Sequence, residues 1–196
     1  MKSLIHLGKR FCFDRRGVAA MEFALISPVL VLLYMGSVET ITGVDVNRKL
    51  DRASTMMSAL LTQEKDTITK AKITDVMNLA TATLLPYTRD TPKITVTSIV
   101  VGTDGVAKVE WSRRRVNGVE SRPFTKGTIV ALDSNVAIKN TSVIRVDMTM
   151  AYVPLIAWTI TKTVSKADGT AAIGLDLTQQ AYGRVRIGQS TKCSDC

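Results

Sequence analysis

A chain of 196 residues, 45% hydrophobic and 22% charged, has apolar side chains enough for one packed domain of about 150 residues beside an anchor, which excludes a disordered chain. The formal charge of +9 does not make it a nucleic-acid binder, because aromatics, at 5%, are too few to interleave with the cations as stacking platforms. The sole histidine, His6, lies ahead of the first apolar run, which excludes histidine-dependent catalysis by everything after it.

Residues 1–17 form a basic leader in which Lys2, Lys9, Arg10, Arg15 and Arg16 face only Asp14; without it the formal charge falls from +9 to +5. Cations flanking a membrane segment stay on the cytoplasmic side, so the leader is expected inside and residues 39–196 outside. The run from Gly17 to Val38 is apolar apart from Glu22. As a helix it reaches about 33 Å, enough to cross a hydrocarbon core of about 30 Å. Glu22 costs on the order of 2.5 kcal/mol or more inside such a helix, so its position asks for a function, and Pro28 is predicted to kink the span.

A transmembrane helix over 18–40 continues as a stalk helix over 41–62, where Val46, Leu50, Ala53, Met57 and Leu60 fall on one face. The segment TITDVMNLATATLL predicts a second helix, with Ile73, Val76, Ala80 and Leu84 sharing a face and Pro86 ending it. The period then changes. KITVTSIVVGTDGVAKVEW reads as two strands joined at Asp104-Gly105, and a further turn is expected at Asn117-Gly118. TSVIRVDMTMAYVPL is a strand with Ile144, Val146, Met148, Met150 and Tyr152 on its buried side, and LDLTQQAYGRVRIG is a final strand before a polar tail. The expected fold is α+β: a long N-terminal transmembrane and stalk helix, a second helix, then an antiparallel sheet with the helices on one face, residues 63–196 making the outer domain.

The chemistry-bearing signals are few. Cys193-Ser194-Asp195-Cys196 suits a local disulfide, worth about 2 kcal/mol at most for so short a loop; bonding to a partner's cysteine and free thiols are the alternatives. A redox motif would need a βα context and a zinc site further ligands, and neither is evident. Arg113-Arg114-Arg115, with Trp111, Arg122 and Lys126, reads first as a solvated basic strand and second as a surface for headgroups or an acidic partner. No Walker loop, dinucleotide fingerprint, zinc-helix pair or nucleophile elbow occurs, so no enzyme activity, cofactor or metal is expected.

The order Arg15-Arg16, Gly17, four residues, Glu22, apolar helix resembles the processing site of type IV prepilins. More closely, DRRGVAAMEFALISPVLVLL resembles the N-terminal signature of TadE-like pseudopilins of the tight-adherence (Flp) pilus, through Gly17, Ala19, Ala20, Glu22, Phe23, Ala24, Leu25 and Pro28. The resemblance implies cleavage between Gly17 and Val18 by a prepilin peptidase. It also implies a helix-assembly role for Glu22, Phe23 and Pro28, with Glu22 neutralising the new amino group of Val18 or of a neighbouring subunit. Phe23 stands where Flp major pilins carry tyrosine, and the outer domain is large, so a minor pseudopilin is implied. Its implied site is the inner (cytoplasmic) membrane, with the C-terminal domain periplasmic, and its partners are other pilin-like subunits and Flp secretion-platform proteins. The alternative is an uncleaved single-pass envelope protein with a periplasmic binding domain. A conventional secreted protein is disfavoured, because the apolar region exceeds a signal peptide's and contains Glu22.

Overall fold

The computed structural model describes residues 17–64, 67–154, 174–185 and 191–196, so the leader ahead of Gly17 lies outside the described residues. The chain divides into two compact units, one ending at Thr42 and the other spanning Gly43–Cys196. Helix α1 (Val18–Thr62) contributes to both and runs without interruption through Pro28.

In the second unit, α1 buries Val46, Leu50, Ala53, Met57 and Leu61. The stretch read as a stalk is therefore part of the domain core from Val46 onward. Leu61, not Leu60, closes the apolar stripe: a run of alternating four- and three-residue steps drifts round a helix of 3.6 residues per turn, and Leu60 ends only half-buried. One position further round lie Ser54, Ser58 and Thr62, also buried, whose hydroxyls donate to the Asp51, Thr55 and Ala59 carbonyls of their own helix at 2.8, 2.8 and 2.9 Å. Small, internally satisfied side chains here let the helix approach the sheet closely. A Cβ placed on Gly183 would lie 2.8 Å from both the Ser58 carbonyl oxygen and Thr62 Cγ2.

A short strand β1 (Thr67–Ile68) leads into α2 (Lys70–Ala82), capped by the Thr69 hydroxyl, which accepts the Lys72 N–H at 3.3 Å. Ile73, Val76, Met77 and Ala80 face the core, and Leu84 is buried just past the helix end. Then follow β2 (Lys93–Val101), β3 (Ala107–Val116), β4 (Val119–Ser121), β5 (Thr141–Tyr152) and β6 (Leu175–Arg184). Among the described residues they form an antiparallel sheet in the order β4-β3-β2-β5-β6. The β3–β4 turn uses Asn117 and Gly118, both at positive φ (49° and 78°), the conformation that suits a two-residue hairpin and selects Asn-Gly. Ser98 pairs with Trp111 but Ile99 with Val109, so Glu110 is the extra residue of a bulge in β3.

Alternation along β5 puts Ile144, Val146, Met148, Met150 and Tyr152 into one core with Ile94, Val96, Trp111 and the apolar faces of α1 and α2. The helices thus cover one face of the sheet. The opposite face is more buried than alternation alone predicts, since Val143 and Ala151 are also enclosed. Part of the reason is a smaller cluster at one end of that face, where Val130 and Leu132 pack on Ile99, Val101 and Ala107. The segment carrying them runs along the edge of β3, with Val130 N–H donating to the Ala107 carbonyl at 3.1 Å. A final short strand, β7 (Lys192–Cys193), pairs in parallel with β1.

Candidate functional site

The first unit supplies the candidate assembly site, the helical residues from Val18 to Thr42. Val18, Met21, Phe23, Leu25 and Ile26 are exposed, and so are Val29 to Tyr34. Helix α1 is long and apolar enough to cross a membrane, and none of its most apolar stretch is buried in the structure. In water such a surface would be an unpaid hydrophobic cost; in lipid, or against other apolar helices, it is the expected one. The polar residues are matched to that setting: Ser37, Thr40 and Thr42 donate their hydroxyls to the Leu33, Gly36 and Val38 carbonyls one turn back, at 2.8, 2.9 and 2.8 Å.

Gly17 precedes the first turn of α1. Among the described residues a Cβ there would meet no atom within 4 Å, and its φ lies outside the left-handed range, so the described part of the fold places no steric demand for glycine at this position. Glu22 lies exposed within the apolar stretch, and no described ion pair involves it. Phe23 sits beside it, 68% exposed. Pro28, inside the helix, has no N–H to give the Ala24 carbonyl. Ala19, Ala20, Ala24, Ser27 and Gly36 keep parts of the same surface small, which permits close helix contacts in a bilayer.

The second unit disperses the other cluster singled out from the sequence. The three arginines are not a solvated basic strand, because two of them point toward α2. Arg113 is buried and bonds Glu120 Oε2 at 2.6 Å, while Arg115 donates to Thr81 Oγ1 at 2.9 Å and to Asn78 Oδ1. Arg114, on the other face, reaches Thr95 Oγ1 at 3.2 Å. The Thr74 hydroxyl donates to Glu120 Oε1 at 2.7 Å; this bond, reinforced by Arg113 and Lys70, holds the Glu120 carboxyl below its ordinary range despite partial burial. Lys126 pairs with Glu110 at 2.6 Å, and the Trp111 indole N–H is buried against the Thr191 carbonyl at 2.7 Å. The sequence signal for a headgroup or acidic-partner surface was charge alone. The carboxylate and neutral oxygens that use the Arg113 and Arg115 guanidinium groups lie on α2 and β4, beyond the reach of local pattern.

Cys193 and Cys196 are joined by a disulfide, with Cα atoms 5.5 Å apart. Asp195, inside that turn, accepts the Lys70 N–H of α2 through Oδ1 at 2.6 Å. Sequence reading missed this contact, which spans 125 positions and carries no local signature.

Glycine, exposed glutamate and exposed apolar helix follow one another at the start of α1, and the family comparison falls on the same segment. Residues 17–56 match the TadE-like protein family. The TadE-like match begins at Gly17 and ends at Met56, so it takes in the exposed apolar stretch and also Val46, Leu50 and Ala53 of the domain core. It points to a structural component associated with the tight-adherence pilus, and the apolar N-terminal helix fits a single-pass membrane protein. No curated protein and no solved structure matches the chain.

Proposed function

We propose that this protein is a minor pseudopilin of the tight-adherence pilus machinery, made with its N-terminus in the cytoplasm, trimmed by a prepilin peptidase between Gly17 and Val18, and assembled through the apolar part of α1. The domain beyond the membrane lies in the periplasm and meets the other assembly components. The observation that carries this reading is the combination at the start of α1: a glycine for which the described part of the fold has no steric use, five residues before a carboxylate that stands among exposed apolar side chains. A protease that takes its substrate in extended form uses such a glycine. Trimming creates an α-amino group on Val18, one helical turn from Glu22, and opposite charges at that spacing neutralise each other or pair across two subunits. Pairing offsets the cost of carrying both groups in lipid.

Two substitutions separate the roles. Gly17→Val meets open space among the described residues and should leave the domain intact while the untrimmed protein accumulates in the membrane. Glu22→Ala should be inserted and trimmed as before but lose co-purification with pilin-like subunits from detergent extracts. Unchanged recovery of those subunits with Glu22→Ala would contradict the role given to the carboxylate.

A further inference from the structure

The C-terminal tail is tied back to the domain by contacts distant in sequence. Strand β7 pairs with β1, Ser194 N–H donates to the Ile68 carbonyl at 3.1 Å, and Asp195 Oδ1 accepts the Lys70 N–H at 2.6 Å. Thr191, fully buried, accepts the Trp111 indole N–H. The Lys70 amide is one of the first-turn donors of α2 that have no partner within the helix, and a carboxylate there also opposes the positive end of the helix dipole. Asp195 is thus a cap supplied from the far end of the chain.

Ser194 and Asp195, which make the contacts to Ile68 and Lys70, lie within the four-residue ring closed by the Cys193–Cys196 bridge. A ring so small restricts the backbone to a turn, the shape from which both residues reach the domain at once. The bridge is accessible: both cysteines are only half-buried and line an open cleft of about 300 Å³ with Trp111, Phe124, Arg122 and Lys126. Lys126 is paired with Glu110 on the same rim, which leaves Arg122 as the cation that favours the thiolate form of an approaching thiol, the attacking species in disulfide exchange.

We infer that the Cys193–Cys196 bridge is an exchangeable redox clasp, which when closed holds Asp195 on the first turn of α2 and when opened releases the tail. In closing, the two thiols surrender two protons and two electrons to a second disulfide, that of oxidised glutathione or of a dithiol oxidoreductase, through a mixed disulfide. The S–S bond of the clasp forms and the partner leaves as two thiols. Opening is the reverse, with two partner thiols oxidised. A periplasmic domain, as proposed above, would meet such partners, but the clasp itself does not rest on that topology.

The test uses the full chain in detergent micelles, carrying Trp158→Phe so that Trp111 is the one remaining tryptophan, equilibrated in glutathione buffers from fully oxidised to fully reduced. Reduction should raise hydrogen exchange at the Lys70 and Ser194 amides by at least about tenfold and change Trp111 emission, with β2 and β5 unaffected, as expected for a local opening. Cys193→Ser combined with Cys196→Ser should show the open behaviour in oxidising buffer. Equal exchange at Lys70 and Ser194 in both redox states would overturn the inference. So would a bridge that does not react with excess glutathione, or an opening that spreads to β2 and β5.

Discussion

The two parts of helix α1 treat apolar side chains in opposite ways. Between Val18 and Tyr34 they are exposed, whereas from Val46 to Leu61 one stripe of them is fully enclosed by α2 and the sheet. Both stretches are helical, but they differ in apolar content and in how the apolar residues are spaced. The later stretch confines its apolar residues to one face and leaves Asp51, Arg52 and Thr55 exposed on the other, the pattern of a helix with a single buried face. The earlier stretch is apolar nearly all round, the pattern of a helix whose surroundings are apolar on every side. One continuous helix thus carries two solvation instructions.

The contrast is broken most severely at the core stripe. Leu50→Ala should lower domain stability by about 2–5 kcal/mol, whereas Leu32→Ala should leave the same unfolding transition in place, both followed by urea titration in micelles. Equal losses for the two would mean that the earlier stretch also has a packing partner in the domain. Glycines sharpen the point. Gly183→Ala forces a Cβ against the Ser58 carbonyl and should cost about 1–3 kcal/mol, whereas Gly36→Ala meets nothing within 4 Å and should not shift the transition.

Glu120→Gln is expected to remove about 1.5–3 kcal/mol, because Arg113 loses its charged partner. Its pH dependence has a definite sign. Folding lowers the Glu120 pKa, so the ionised side chain contributes stability above its ordinary value of 4.5, and that contribution is lost as pH falls through the lower folded value. Asp90 acts in the opposite sense. Burial raises its pKa although the Ala151 and Thr91 N–H groups bond its carboxylate, so its ionisation opposes folding and stability falls as pH rises from 3.8 through the raised value. Stability measured between pH 3 and 7 should therefore decline less steeply on the acid side in Glu120→Gln and lose the opposing Asp90 component in Asp90→Asn. The smallest change is expected at Ser98→Ala. The Ser98 hydroxyl is buried with no partner among the described residues, so the variant should match the parent or exceed it by less than about 1 kcal/mol.

Much of the domain was legible in the sequence because its signals are local. The period-two alternation of β5, the Asn117-Gly118 turn and the apolar spacing of Ile73, Val76 and Ala80 each specify structure within a few residues. The start of α1 was legible for the same reason, since Gly17, Glu22 and the apolar run form a continuous pattern. What escaped is long-range. Arg113 and Arg115 read as solvated until α2 and Glu120 are laid over them, and nothing near Asp195 announces that it caps a helix beginning at Lys70. The closeness of Gly183 to α1 is likewise invisible without the packing of helix on sheet.

The most direct test of the central claim is the identity of the first residue of the protein extracted from membranes of cells that carry a working prepilin peptidase. Trimming ahead of the apolar helix predicts a chain that begins Val-Ala-Ala-Met-Glu. A chain that still begins at Met1 would contradict it, and a start near Glu39 would show instead that the apolar segment had been removed as a signal sequence.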